Sequence, residues 1–410
     1  MTLCLFAACT DSSPKVVGPA WPEYRGDLAR DGHPSQASLD AAGASKLSVA
    51  WRAHLDGAVD GTPAIAGGRI IAGSAGGLLA AFDETSGRQV WAARQLGAIA
   101  GSPTIAGDRV FVTTLTGMAY AFDVAHGKLI WKWAAPAGSA LWASPVAFRD
   151  EVIVGVASPY GDQPLVAGRL YGLSADTGKV RWMSCLRSGC ALGDGVWSTA
   201  AIDSSGTAFV GVGNPDDGEL AFDPMTGRPK WLVSLYADRE RDLDVGASPV
   251  IFTLRGREVI AQATVEGMFA VLDARTGGVT WSRELVAGSA VHGLLASPAY
   301  DGTKLYAASA STPTGVFAID PADGSERWRR LTDRPVYSAP AAGNGVVVFG
   351  TGGVFGDLNM GSIDAVSAVD GSLLWSFDAH SAVRSGPALS GNLVFVGDEA
   401  GDVFAFQPRR

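Results

Sequence analysis

The stretch Ala121-Phe122-Asp123-Val124-Ala125-His126-Gly127-Lys128-Leu129-Ile130-Trp131 decides the fold, because it returns along the whole chain. Tryptophans recur at Trp51, Trp91, Trp131, Trp182, Trp231, Trp281, Trp328 and Trp375, 40 to 51 residues apart. Glycine stands four residues before seven of them, at Gly87, Gly127, Gly178, Gly227, Gly277, Gly324 and Gly371. Eight residues before them stand Asp83, Asp123, Asp223, Asp273 and Asp320, with Ser174 and Ser367 as variants. Each unit reads as an apolar strand ended by an Asp whose side chain bonds the turn backbone. A glycine then supplies positive φ, and a second strand carries an indole with a large face to bury. No such unit covers both of its faces alone, so the units must stack.

A second signature precedes each unit. Pro63, Pro103, Pro145, Pro249, Pro298, Pro340 and Pro387, with Ala200 as the variant, follow small or hydroxyl residues and open a strand. Proline suits a strand's first residue. Two strands before each Asp–Gly turn motif and two around it make four per unit, A to D. Trp51 lacks its glycine, since Leu47 holds that position, and the last unit ends at Arg410 before any turn or tryptophan. The strand Lys46–His54 therefore completes the final sheet, which removes free edges. The expectation is an all-β fold: an eight-bladed β-propeller of four-stranded antiparallel blades over residues 45–410. A leader and tether (1–20) and an extension (21–44) precede it.

Composition agrees. A chain of 410 residues would ordinarily divide into domains, but a closed ring of repeats escapes that rule. Apolar residues make up 47%, glycine counts 53 and charged residues only 18%, a profile of many short strands and tight turns. Helical apolar spacing is absent. The net charge of −9 with no basic run argues against nucleic acid as a partner. No apolar stretch reaches membrane-spanning length.

The start of the chain, Leu3–Ala8 followed by Cys9, resembles the end of a bacterial lipoprotein signal. That resemblance implies export, lipidation of Cys9 and a periplasmic location at the outer membrane, with the lipid as the sole membrane attachment. Cys4 and Cys9 belong to this leader. Cys185 and Cys190, with four residues between them, are then free to close a small disulfide loop in an oxidising compartment. No C-x-x-C-H motif offers attachment to a c-type haem.

Loop lengths identify the elaborated face. From tryptophan to the proline position of the next unit the gap is 12 residues in four cases, but 14, 18, 18 and 17 after Trp131, Trp182, Trp231 and Trp281. The B-to-C connections 158–168 and 350–361 are long as well. All of these lie on one face, and long loops on a rigid scaffold concentrate function. The residue three before each proline position should face the central funnel: Asp60, Ala100, Trp142, Trp197, Gly246, Leu295, Tyr337 and Arg384. Trp142, Trp197 and Tyr337 can stack on a flat conjugated ligand, and Arg384 can pair with its carboxylates. The competing reading is that these side chains plug the mouth of the channel.

The repeat resembles that of the pyrroloquinoline-quinone (PQQ) family, over about residues 45–410. That family builds quinone-dependent alcohol dehydrogenases, polyvinyl-alcohol-dehydrogenase-like enzymes and the cofactor-free outer-membrane assembly scaffold BamB. Gly193–Pro215 followed by a second unit and Asp238–Asp244 is similar in order to the dehydrogenases. The resemblance implies PQQ as cofactor and a calcium ion. Trp197 would stack on the quinone, Asn214 would ligate calcium, and Asp242 would be both a metal-proximal carboxylate and the base that takes an alcohol proton. Plainer readings make Asn214 a turn residue and Asp242 a solvated charge. The dehydrogenases' glutamate ligand is missing, since 155–168 contains Asp162 as its only carboxylate. The segment Trp21–Pro34 resembles the polyvinyl-alcohol-dehydrogenase-like branch, and His292 reads as a loop residue near the funnel. Two functions follow: a quinoprotein acting on a small-molecule alcohol, or a non-catalytic scaffold that docks envelope proteins.

Overall fold

A computed structural model describes residues 21–34, 37–236, 244–354 and 358–409. They form eight four-stranded antiparallel sheets. Blade 1 holds strands A to D at Ala64–Ala66, Arg69–Gly73, Leu79–Asp83 and Gln89–Ala93. Blades 2 to 7 repeat this from Thr104, Val146, Ala201, Val250, Ala299 and Ala341. Blade 8 takes strands A to C from Ala388–Ser390, Leu393–Gly397 and Asp402–Pro408, and its strand D is Leu47–His54. That strand runs antiparallel to strand C with Leu47 opposite Pro408 and Trp51 opposite Ala405. The first and last strands thus share one sheet, as the missing glycine at position 47 implies.

The glycine of each Asp–Gly turn serves the preceding blade. Gly87, Gly127, Gly178, Gly227, Gly277, Gly324 and Gly371 have φ between +67° and +74°. A Cβ on each would lie 2.3–2.9 Å from the ring of the tryptophan one blade earlier, from Trp51 under Gly87 to Trp328 under Gly371. The same tryptophans hydrogen-bond forward. Nε1 of Trp51, Trp91, Trp131, Trp231, Trp281 and Trp328 donates to Glu84, Val124, Ala175, Ala274, Pro321 and Ala368 of the next blade, at 2.8–3.2 Å. Trp182 differs, donating to Glu151 Oε2 of its own blade at 2.6 Å. Trp375 has no glycine above it, because Leu47 follows in the ring, and packs edge-on to Phe406.

A belt of hydroxyls ties the blades near the axis. The Ser or Thr before the proline position accepts an amide from the blade before it: Ser102 N to Ser144 Oγ, Ser144 N to Thr199 Oγ1, Thr199 N to Ser248 Oγ, and Ser248 N to Ser297 Oγ, at 2.7–3.0 Å. Where Ala339 and Gly386 interrupt that position, the preceding serines take over. Ser338 Oγ donates to the Ser385 carbonyl and Ser385 Oγ to that of Gly61.

Residues 21–34 form a strap across the far end of the A strands. Strand A is the inner edge of each sheet, and an edge amide left unpaired in the interior is costly. The amides of Ile65, Ile105, Ile202, Ile251, Tyr300 and Ala342, equivalent positions of six blades, donate to carbonyls of Trp21, Pro22, Leu28, Ala29, Asp31 and Gly32. Arg30 is fully buried beneath the strap and donates to the Ala200 carbonyl and to Glu23 Oε2. Tyr24 reaches the axis, where its hydroxyl meets Ser297 Oγ at 2.9 Å. Beyond the strap, Asp40 caps the four-residue helix Ala41–Ala44 that leads into the closing strand.

Candidate functional site

The eight funnel positions behave as one set. Asp60, Ala100, Trp142, Trp197, Gly246, Leu295, Tyr337 and Arg384 are each partly exposed, and each stands between two buried neighbours. All eight line two axial cavities. The upper one, about 580 Å³, opens among the long loops and is walled by Trp142, Trp197, Val265, Val291, Leu295, Tyr337, Val354 and Arg384. Tyr160, Gly161 and Asp162 of the long blade-3 loop and Asp244 complete it. Its size and largely apolar wall suit a cofactor-sized ligand. The lower cavity, about 160 Å³, is polar, lies within the hydroxyl belt and is floored by Tyr24 of the strap.

Trp142, Trp197, Gly246 and Leu295 border both cavities. The two indoles stack with centroids 4.9 Å apart and planes 22° from parallel. Trp142 is fixed by donation from Nε1 to the Ser158 carbonyl at 2.9 Å. Tyr337 donates its hydroxyl to the Val291 carbonyl at 2.8 Å, and burial pushes its pKa up to about 12. It is a neutral wall at physiological pH.

Arg384 is held by two carboxylates. Its Nη2 lies 3.0 Å from Asp60 Oδ1, and its Nε donates to Glu399 Oε1. Burial alone would lower the Arg384 pKa, but Asp60 and Glu399 hold it above its ordinary value. Burial, and then the hydrogen bond and charge of Asp60, push the Glu399 carboxyl up to about 8 against the pull of Arg384. A raised carboxyl pKa stabilises the folded chain at low pH. That contribution is complete below the ordinary value of 4.5 and is lost as pH rises through the folded value. The melting temperature should therefore fall between about pH 5 and pH 9, and Glu399→Gln should flatten that slope in a calorimetric series. Asp194, pushed up to about 7 by burial and by Asp216, acts in the same direction and stays in the variant.

Asn214 stands beside this wall, outside the cavity lining. Its amide donates to Asp244 Oδ1 at 2.8 Å, and its carbonyl accepts from Asp194. His292 is exposed beside Ser289 Oγ, while Ala290 and Val291 of the same loop reach the cavity. Cys185 and Cys190 are bonded to each other in the loop entering blade 4, with Cα atoms 5.0 Å apart. Asp242 and Cys9 lie outside the described residues.

Among the described residues no group of three or more His, Cys, Asp or Glu side chains is placed to hold a metal ion. A second cavity of about 580 Å³ lies on the opposite face between blades 4 and 5, beside Lys230 and Trp231. Its Asp203 and Asp273 carboxylates are engaged in their own turns.

Two members of the site were not singled out from sequence. Glu399 holds the B-to-C turn position that Ala75, Leu115 and Val265 hold in other blades, so a lone carboxylate among apolar residues was its signal. Ala75, Leu115 and Glu399 all donate their amides to the D-to-A loop behind them. Tyr24 carried no repeat signal.

Comparison with known proteins places this geometry. A family model described as "Outer membrane protein assembly factor BamB" matches residues 38–205, 100–297 and 266–410. BamB of Burkholderia pseudomallei (strain K96243) is 28% identical over 252 residues, 60% of this chain and 60% of that protein. Polyvinylalcohol dehydrogenase of Sphingopyxis sp. (strain 113P3) is 25% identical over 300 residues, 58% of this chain and 46% of that protein. The chain thus spans less than two thirds of either relative. The crystal structure of quinohemoprotein alcohol dehydrogenase from Comamonas testosteroni superposes with a TM-score of 0.83 at 17% identity, covering 95% of this chain and 80% of that one. The fold is shared with quinoprotein dehydrogenases and with BamB alike, and the chain belongs to the PQQ-repeat propeller family that the BamB model describes.

Proposed function

We propose that the chain is an exported quinone-binding propeller of the dehydrogenase type, with the upper axial cavity as its ligand site. The observation that carries this reading is the convergence of six of the eight equivalent positions, Trp142, Trp197, Gly246, Leu295, Tyr337 and Arg384, on one aromatic-walled cavity. A plug would fill that space, whereas about 580 Å³ remains open. Trp197 and Trp142 would hold the ring system, and Arg384 would meet a carboxylate. PQQ, when bound, supplies a two-electron acceptor. The chain's own part is to orient the ring between apolar walls, exclude water, and hold a proton at Glu399. Calcium assistance and a base role for Asp242 belong to this proposal. Export, lipidation at Cys9 and a periplasmic, outer-membrane location accompany this reading, and mass spectrometry of the mature N-terminus tests them.

Titration of PQQ into the purified chain, with and without calcium, followed by tryptophan fluorescence and dye-linked alcohol oxidation, tests the site. Trp197→Ala should weaken quinone binding about 10- to 100-fold, since an aromatic contact of this kind is worth about 1–3 kcal/mol when desolvated. The melting temperature should change little, because Trp197 faces the cavity. Absence of binding by the parent protein at high micromolar quinone would reject the reading.

The second reading, a scaffold for envelope proteins, draws on the BamB relative. Co-purification of an envelope partner with a quinone-free protein would favour it.

A further inference from the structure

We infer that Asp60, Arg384 and Glu399 couple flat-anion binding in the axial pocket to protonation of the carboxyl pair, so that a proton is taken up wherever the pair is ionised and the pair sets which ligands the pocket accepts. This rests on the quinone reading and names its regulation.

Arg384 is the one cation among the described residues of the cavity wall. In the ligand-free chain it is not a spare charge. Asp60 comes from the loop entering blade 1, Arg384 from the loop entering blade 8, and Glu399 from the B-to-C turn of blade 8. All three therefore meet at the seam where the chain's two ends share a sheet. One guanidinium faces two carboxyl groups, so one of them holds a proton or a negative charge is left uncompensated. The Glu399 side chain is only 8% exposed, so water screens little of this.

An arriving carboxylate must compete with Glu399 for the same N–H groups. If Glu399 stayed ionised, the ligand would bring a third negative charge to one positive charge at low dielectric. Protonating Glu399 frees Arg384 for the ligand and leaves Asp60 as its second partner. The groups that bear on Glu399 are Asp60 and Arg384, and Arg384 in turn faces Tyr337, which stays neutral. Asp398, its neighbour in sequence, accepts the amide of Asp402 and answers to Asp402 and Arg52 instead. The coupling is therefore local to three side chains. The pocket should prefer neutral flat ligands at alkaline pH and admit anionic ones as pH falls.

The probe is PQQ, whose carboxylates stay ionised across about pH 6 to 9. Binding to the full chain is followed by tryptophan fluorescence, and calorimetry in two buffers of different ionisation heat counts protons. The expected result is an affinity that falls about tenfold per pH unit above the titration of the pair, with about one proton taken up per quinone. Glu399→Gln, which keeps a hydrogen-bonding group but removes the proton site, should bind independently of pH at the parent's low-pH affinity and with no proton uptake. Asp60→Asn, which removes the neighbouring charge that raises Glu399, should move the same dependence to lower pH and serves where the first variant folds poorly. A merely structural Glu399 would shift melting temperature and leave the pH slope in place. Binding by the parent protein that does not vary with pH, or an unchanged slope in both variants, overturns the inference and leaves the quinone reading standing. No quinone binding at any pH overturns both.

Discussion

Deleting Leu47–His54 will leave a chain that cannot close its ring. Strand C of blade 8, Asp402–Pro408, would become an open edge, with Phe404 and Phe406 stripped of their cover. Trp51, packed against Phe82 of blade 1 and Phe395 of blade 8 at 6.2 and 5.8 Å, would leave both neighbours facing solvent. Asp402, almost fully buried, would lose both Arg52 and His54. Size-exclusion chromatography and circular dichroism should show association through the exposed strand and no cooperative melting, since an uncovered, apolar edge is a template for intermolecular pairing. A circular permutant that begins at Leu55 and joins the natural ends by a flexible linker retains the strand and should melt cooperatively. Its failure, or a well-behaved monomer from the deletion, would contradict closure of the ring by this strand.

Gly127→Ala should cost about 2–4 kcal/mol. Two effects add: about 1 kcal/mol for placing a side chain at positive φ, and about 1–3 kcal/mol for overpacking. The backbone sits at φ +68°, and the added Cβ would fall 2.5 Å from the Trp91 ring. Gly107 separates the two effects, because its φ is +61° and a Cβ there would have nothing within 4 Å. Gly107→Ala should therefore lose only the first contribution. Urea midpoints of the two variants against the parent decide the matter, and equal losses would show that the glycine–indole contact is energetically idle.

These two experiments mark what the sequence discloses and what it hides. Blade number, closure by Lys46–His54 and the eight funnel positions were legible because each rests on a feature repeated around the ring. The glycine–tryptophan pairing was legible only within a unit. In space, Gly127 packs on Trp91 rather than on Trp131, a relation between blades that the spacing of one motif does not contain. The strap was hidden for a different reason. Its bonds are made by backbone carbonyls of Trp21, Pro22, Leu28, Ala29, Asp31 and Gly32, and carbonyls leave no mark on residue choice. Glu399 pairs with residues far away along the chain, so its isolated charge could be noticed without its partners being named. The order of the motifs sets Asn214 at the rim of the well, and its amide bonds Asp244, a residue of the cavity wall.

The strap has a consequence for the order of folding. It is the earliest described segment, yet its partners, together with Gly391 that bonds Ser38 just beyond it, are spread over seven blades. Contacts so distant along the chain make loop closure slow. A growing polypeptide must hold this segment in waiting until its later strands arrive, and nascent blades meanwhile show their inner amides to any passing chain.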